Sequence, residues 1–176
     1  DLGIAAGFDP SAGIGRIVRH QQHRPAVAAP HQQPAFRILV PVGGNPSDAV
    51  ALQLACDTAK KQKGRVQAVY VIEVLRSLPL DAELPPELQK GEEVLRQAEA
   101  IAAAAQVEID TELLQAREVG PAVVDEACER GVQVIIMGLP YKRRFGDFSM
   151  GRSVPYVLKN APCQVWICRE PPKGGD

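Results

Sequence analysis

Two glycines, Gly138 and Gly151, bracket a segment with three cations, Lys142, Arg143 and Arg144; a fourth, Arg152, and a hydroxyl residue, Ser153, follow. These residue types suit a phosphate. Glycine lets a backbone approach an anion closely, because no Cβ stands in the way, and successive exposed N–H groups donate to its oxygens. Arginine adds a planar, permanently charged fork that meets phosphate oxygens in pairs. A helix starting just beyond the segment adds the positive end of its dipole. The bland alternative is a basic, solvated connection, and both readings stand at this point.

Other chemistry finds few carriers. His20, His23 and His31 are the only histidines and all precede residue 36, so a histidine base or metal ligand within the later, regular part of the chain is excluded. Ser149 and Ser153 have no base nearby in sequence, and no G-x-S-x-G elbow is present. No GxxxxGK[ST] loop exists, which removes P-loop phosphate hydrolysis. Glu73 closes an apolar run and is read either as a contact for a ligand hydroxyl or as a solvated carboxylate. Cys56, Cys128, Cys163 and Cys168 form no CxxC pair, so no zinc site is expected; they read as buried, reduced thiols, with Cys168 the candidate for an exposed redox thiol. No catalytic set emerges, and the chain is read as non-enzymatic.

The elements that would hold the basic segment follow from periodicity. Residues 37–42 form a short apolar run closed by Gly43 and Gly44. Asn45 then caps a helix with Pro46 at its first position, and Ala49, Leu52, Ala55, Cys56 and Ala59 recur at helical spacing up to Lys60, Lys61 and Lys63, with Gly64 as the stop. A second strand is expected over 67–75, apolar nearly throughout as in a parallel sheet covered on both faces. Residues 76–87 hold Pro79, Pro85 and Pro86 and read as an irregular connection. A helix over 88–105, an alternating strand over 107–114 nearer an edge, a helix from Gly120 to about Arg130, a strand over 132–137, a helix over 153–160 and a last strand over 164–168 complete the pattern. Alternating strands and helices require right-handed crossovers and predict an α/β fold, an open, doubly wound, parallel five-stranded sheet. Ligands of such sheets sit at the carboxyl ends of the strands where the winding reverses. That places residues 42–45 beside residues 138–153.

Residues 1–35 break the pattern. They are rich in Gly, Pro, Gln and His and read as a flexible arm or linker, with a mildly basic patch at Arg16, Arg19, His20, His23 and Arg24 that would also suit a cytoplasmic juxtamembrane segment. Residues 36–170 read as the domain and 171–176 as a polar tail. The first residue is Asp rather than Met, so a piece of a longer protein is among the expectations. No signal peptide or membrane span is read, and the location is taken as cytoplasmic, free or tethered to a membrane. A formal net charge of −1 argues against a nucleic-acid partner.

Four stretches together resemble the universal stress protein family: Ile38 through Gly44 (ILVPVGG), Val69 through Glu73 (VYVIE), Gly120-Pro121-Ala122 followed by Val124, and Val134 through Gly138 with Gly151 and the run from Val157 through Ala161-Pro162-Cys163 to Val165. The resemblance covers residues 36–169. It implies a sheet of order 3-2-1-4-5, a homodimer paired through the last strand at Gln164 to Cys168, and an adenine nucleotide, ATP or a relative, as ligand. Adenine would lie near Val42, Val71 and Met137, and phosphate near Gly138, Gly151, Arg152 and Ser153, with Gly43 and Lys142 in the same site. Nucleotide-binding members carry Gly, two residues, Gly, nine residues, Gly, then Ser or Thr. Here Tyr141 replaces the second glycine, Arg152 precedes the hydroxyl of Ser153, and Gly43 stands where binding members usually have Asp. The alternative is therefore a degenerate, nucleotide-free site in the cytosolic regulatory domain of a membrane transporter, a reading that the run from Val74 to Leu80, the helix of Val154 to Val157 and the Trp166 strand also suit.

Overall fold

The computed structural model describes residues 18–21, 35–141, 143–144 and 147–171, with backbone alone for 18–21, 143–144 and 147. At the centre lies β2 (Arg37–Val42), whose alternate residues face two layers. Ile38, Val40 and Val42 pack with α1 (Pro46–Gln62) and α2 (Pro85–Ala104), while Leu39 packs with α3 (Val119–Arg130) and α4 (Ser153–Asn160). Two helices on each face explain the continuous apolar runs: a strand buried on both sides has no solvent side to make polar. Ile38, Leu39, Ile135 and Ile136 are fully buried, and burying each such side chain contributes about 1.5–3 kcal/mol.

The strands β3 (Arg65–Glu73), β4 (Ile109–Ala116), β5 (Val134–Leu139) and β8 (Gln164–Arg169) run parallel to β2 in the order β4-β3-β2-β5-β8. This is the expected five-stranded 3-2-1-4-5 sheet. A further strand, β1 (Val18–Gln21), pairs antiparallel with the outer edge of β4; it comes from the segment read as an arm, where no strand was expected. A two-residue ladder, β6 (Arg143–Arg144) with β7 (Asp147–Phe148), lies within the basic segment.

Several boundaries differ from the sequence reading for identifiable reasons. The left-handed residue that ends α1 is Lys63, at φ 51°, not Gly64. Gly64 is instead needed for space, since a Cβ there would fall 2.3 Å from the Phe36 carbonyl oxygen. Pro85 and Pro86 open α2 rather than precede it, because a first helical turn needs none of the N–H groups that proline lacks. Thr111 through Ala116 of β4 are buried although the strand alternates polar and apolar residues. Its polar residues have partners instead of solvent. Gln67 Nε2 donates to Glu112 Oε2 at 3.1 Å and to Glu126 Oε1 at 3.0 Å, and Arg130 Nε donates to Glu126 Oε1 at 2.6 Å. Arg130 also pairs with Glu112. This cluster ties α3 to the sheet near the amino ends of the strands, away from the crevice described next.

Candidate functional site

Beyond β2 the chain turns into α1 on one face, and beyond β5 it leads to α4 on the other. Since β2 and β5 are neighbours, their two exits diverge and leave a crevice at the carboxyl ends. The cleft measures about 320 Å³. Val42, Gly43, Asn45 and Asp48 line it from the first turn, Met137 through Pro140 from β5, Ser149 through Val154 from the entry to α4, and Val119 from α3. Val42 and Met137 give it an apolar floor; both are buried.

The first turn already holds an anion, and the protein supplies it. Asp48 Oδ2 accepts from the backbone N–H groups of Gly43 at 2.9 Å, Gly44 at 2.8 Å and Asn45 at 2.9 Å. Gly44 sits at φ +83°, a left-handed position that aims successive N–H groups at one point, as glycine readily allows. Asp48 is 7% exposed. Burial raises its pKa, and the donations from Gly43, Asn45 and Gly44 pull the other way. One internal carboxylate oxygen thus occupies all three amides of the turn. Asp48 lies three residues after the cap Asn45, the spacing of a capping box, and that signal in the sequence identifies it.

Gly138 serves packing. A Cβ there would fall 2.6 Å from the Ser47 carbonyl carbon and oxygen and 2.9 Å from Asp48 N, so the start of α1 rests directly on β5. Gly151 is different. It adopts φ +70° with open space where a Cβ would stand, so conformation rather than crowding calls for glycine. Its N–H donates to Ser149 Oγ at 3.3 Å. Arg152 caps α4 without a side-chain hydrogen bond to the first turn, which leaves the N–H groups of Ser153 and Val154 without a cap acceptor. The Arg152 guanidinium is 85% exposed and pairs with Glu73, the carboxylate that ends β3, at 3.1 Å.

Tyr141 does not fill the cleft. Its ring stacks on Phe148 at 5.4 Å between centroids, the Arg169 guanidinium lies 5.4 Å from its centroid, and its N–H donates to Glu170 at 3.4 Å. Of the residues read from the sequence, Val42, Gly43, Met137, Gly138, Gly151, Arg152 and Ser153 line one cleft. Val71 does not line it: β3 is separated from β5 by β2, and Val71 packs half-buried among the residues under α3 and α4. Lys142 lies outside the described residues. Asp48, Val119 and Met150 were not read from the sequence as site residues. Among the described residues no group of three or more His, Cys, Asp or Glu is placed to hold a metal ion, and no helix is long and apolar enough to cross a membrane.

A universal stress protein of Methanocaldococcus jannaschii is 29% identical over 143 residues, covering 78% of this chain and 84% of the relative. The solved universal stress protein from Archaeoglobus fulgidus in complex with dAMP superimposes with a TM-score of 0.62 at 20% identity, covering 77% of this chain and 98% of that one. A universal stress protein in complex with cAMP gives 0.54 at 16% identity, over 78% and 98%. Residues 35–169 match the family model of the universal stress protein family, and the chain belongs to that family.

Proposed function

We propose that this chain is a non-catalytic module that binds an adenine nucleotide, of ATP or AMP type, in the crevice between β2 and β5 and reports that binding as a homodimer. The observation that carries the reading is the convergence of Gly151 at φ +70°, Arg152 and Ser153 on a cleft floored by Val42 and Met137. That is an apolar seat for a base beside an exposed cation and uncapped helix amides for a phosphate. Relatives solved with dAMP and with cAMP support the ligand class. The dimer is proposed through β8, whose outer edge has no partner strand among the described residues and carries half-buried Val165, Trp166 and Ile167. An apolar edge of that kind is stabilised by pairing with a second copy. The setting proposed is cytoplasmic, without a nucleic-acid partner.

Calorimetric titration with ATP, ADP, AMP and cAMP at fixed salt tests the proposal, together with native mass spectrometry of freshly purified protein. Saturable binding of one of them is the expected result. Absence of binding at millimolar nucleotide overturns it and favours the second reading, a nucleotide-free regulatory domain acting in cis on a membrane transporter. Two observations support that alternative: Asp48 occupies the amides of the first turn, and Glu73 engages Arg152.

A further inference from the structure

We infer that β1 is a built-in edge cover: the strand occupies the strand-binding edge of β4 and thereby blocks pairing of that edge with a second copy of this chain. Its register is Val18 with Gln115, Arg19 with Leu114, His20 with Leu113 and Gln21 with Glu112. Without it, the outward N–H and C=O groups of β4 would stand unpaired along a strand whose residues from Thr111 onward are buried. Such an edge is ready to take up another strand.

The cover is weakly built compared with what it covers. β4 pairs with β3 over eight residues and with β1 over four. β1 is joined to the domain through residues 22–34, which include Pro25, Pro30 and Pro34. Its own outer edge is only four residues long and its sequence, Val-Arg-His-Gln, is short and polar, the kind of edge that resists further pairing. Within the sheet the two ends are thus unequal. One end is the six-residue strand β8 with its half-buried apolar side chains, and the other is closed by a short polar strand. A sheet with two open edges that each pair with themselves forms an open chain of molecules, whereas one open edge stops at a pair. The inference stands apart from the nucleotide reading, and it leans on β8 pairing only for the size of the assemblies expected below.

The test is the full chain carrying Arg19→Pro and His20→Pro together. Neighbouring residues of a strand direct their N–H groups to opposite edges, so one of the two substitutions removes a donor aimed at β4 whichever way the strand is phased. Hydrogen exchange at residues 111–116 and sedimentation velocity over a range of concentrations are read against the unchanged chain, with Trp166 fluorescence as the check that the domain stays folded. Faster exchange at these residues is expected at the lowest concentration, with larger species forming as concentration rises: open chains if β8 also pairs, pairs if it does not. A peptide of residues 14–24 added in excess should reverse both effects. Unaltered exchange in β4 would overturn the pairing of β1 itself. Faster exchange with no increase in mass at any concentration would overturn its role as a block to association. Should the double variant fail the fluorescence check, the single substitutions, read by the same exchange experiment, decide the question: one must raise β4 exchange and the other must not.

Discussion

Replacing Gly138 with Ala distinguishes a packing glycine from one kept for a ligand. The new Cβ would lie 2.6 Å from two backbone atoms of Ser47 and 2.9 Å from the Asp48 nitrogen. Ordinary carbon contacts lie at about 3.5–4.0 Å, so the start of α1 has to retreat by roughly 1 Å. Neither partner is a flexible side chain that can swing aside; β5 is held on both edges and α1 is held by its own helical bonds. Forcing volume into a packed site of this kind costs about 1–3 kcal/mol. At about 2–4 °C of Tm per kcal/mol for a chain of this length, the melting temperature should fall by roughly 2–12 °C. The same retreat draws Asp48 off the N–H groups of Gly43, Gly44 and Asn45, so their hydrogen exchange should quicken. Gly151→Ala is the comparator. It meets no neighbour and bears only left-handed strain, about 1–2 kcal/mol, with exchange at residues 43–45 unaltered. Calorimetric melting of the ligand-free protein and exchange mass spectrometry measure both variants. An unchanged Tm and unchanged exchange at residues 43–45 in Gly138→Ala would refute the contact between α1 and β5 as drawn.

Three further outcomes are expected. Burial holds the Asp48 pKa above its unfolded value, so the proton is kept to a higher pH in the fold; the resulting stabilisation is complete below the usual aspartate range and is lost as pH rises through the folded value. Asp48→Asn abolishes that titration, so the stability difference between the two proteins should move in favour of Asn as pH climbs out of the acid range, and denaturant titrations giving parallel pH profiles would contradict it. Arg152→Ala should weaken nucleotide binding about 5- to 150-fold, as for a charged hydrogen bond of about 1–3 kcal/mol. It should change stability by less than about 1 kcal/mol, because the pair with Glu73 is solvent-exposed; calorimetry with an unchanged Kd would remove Arg152 from the ligand set. Trp166→Glu should shift the protein toward monomer by placing a charge on the β8 edge, and sedimentation that does not respond to it would count against that interface.

Much of the fold is written locally. The apolar runs near 38–42, 66–72 and 134–137, separated by helical periodicity and by breakers such as Gly43 and Gly131, are short-range patterns, and a parallel doubly wound sheet is the arrangement that buries them. Hence the parallel, doubly wound sheet and the meeting of residues 42–45 with 138–153 were legible in the sequence, while the strand order came from the resemblance to the family. Helix starts were less so. Pro85 reads equally as an interruption or as a first turn, and only the packing of α2 on β3 decides between them. Val71, which the resemblance sets near an adenine, does not line the cleft: it belongs to β3, and β2 lies between β3 and β5.

By itself, then, the sequence determined the five parallel strands and four helices of the domain, apart from some of their boundaries, and which turns converge at the carboxyl end of the sheet, because each of these follows from hydrophobic period and chain connectivity. Only the tertiary structure decided what those turns offer a ligand. The capping-box spacing already points to Asp48 as the acceptor for three amides, whereas the fold sets Gly138 under α1, draws Glu73 to Arg152 and turns Tyr141 onto Phe148 and Arg169. It also lays residues 18–21 against β4. These are contacts between groups far apart in the chain or turned by a particular backbone angle, and no local pattern encodes which polar group reaches a buried donor or an open edge first.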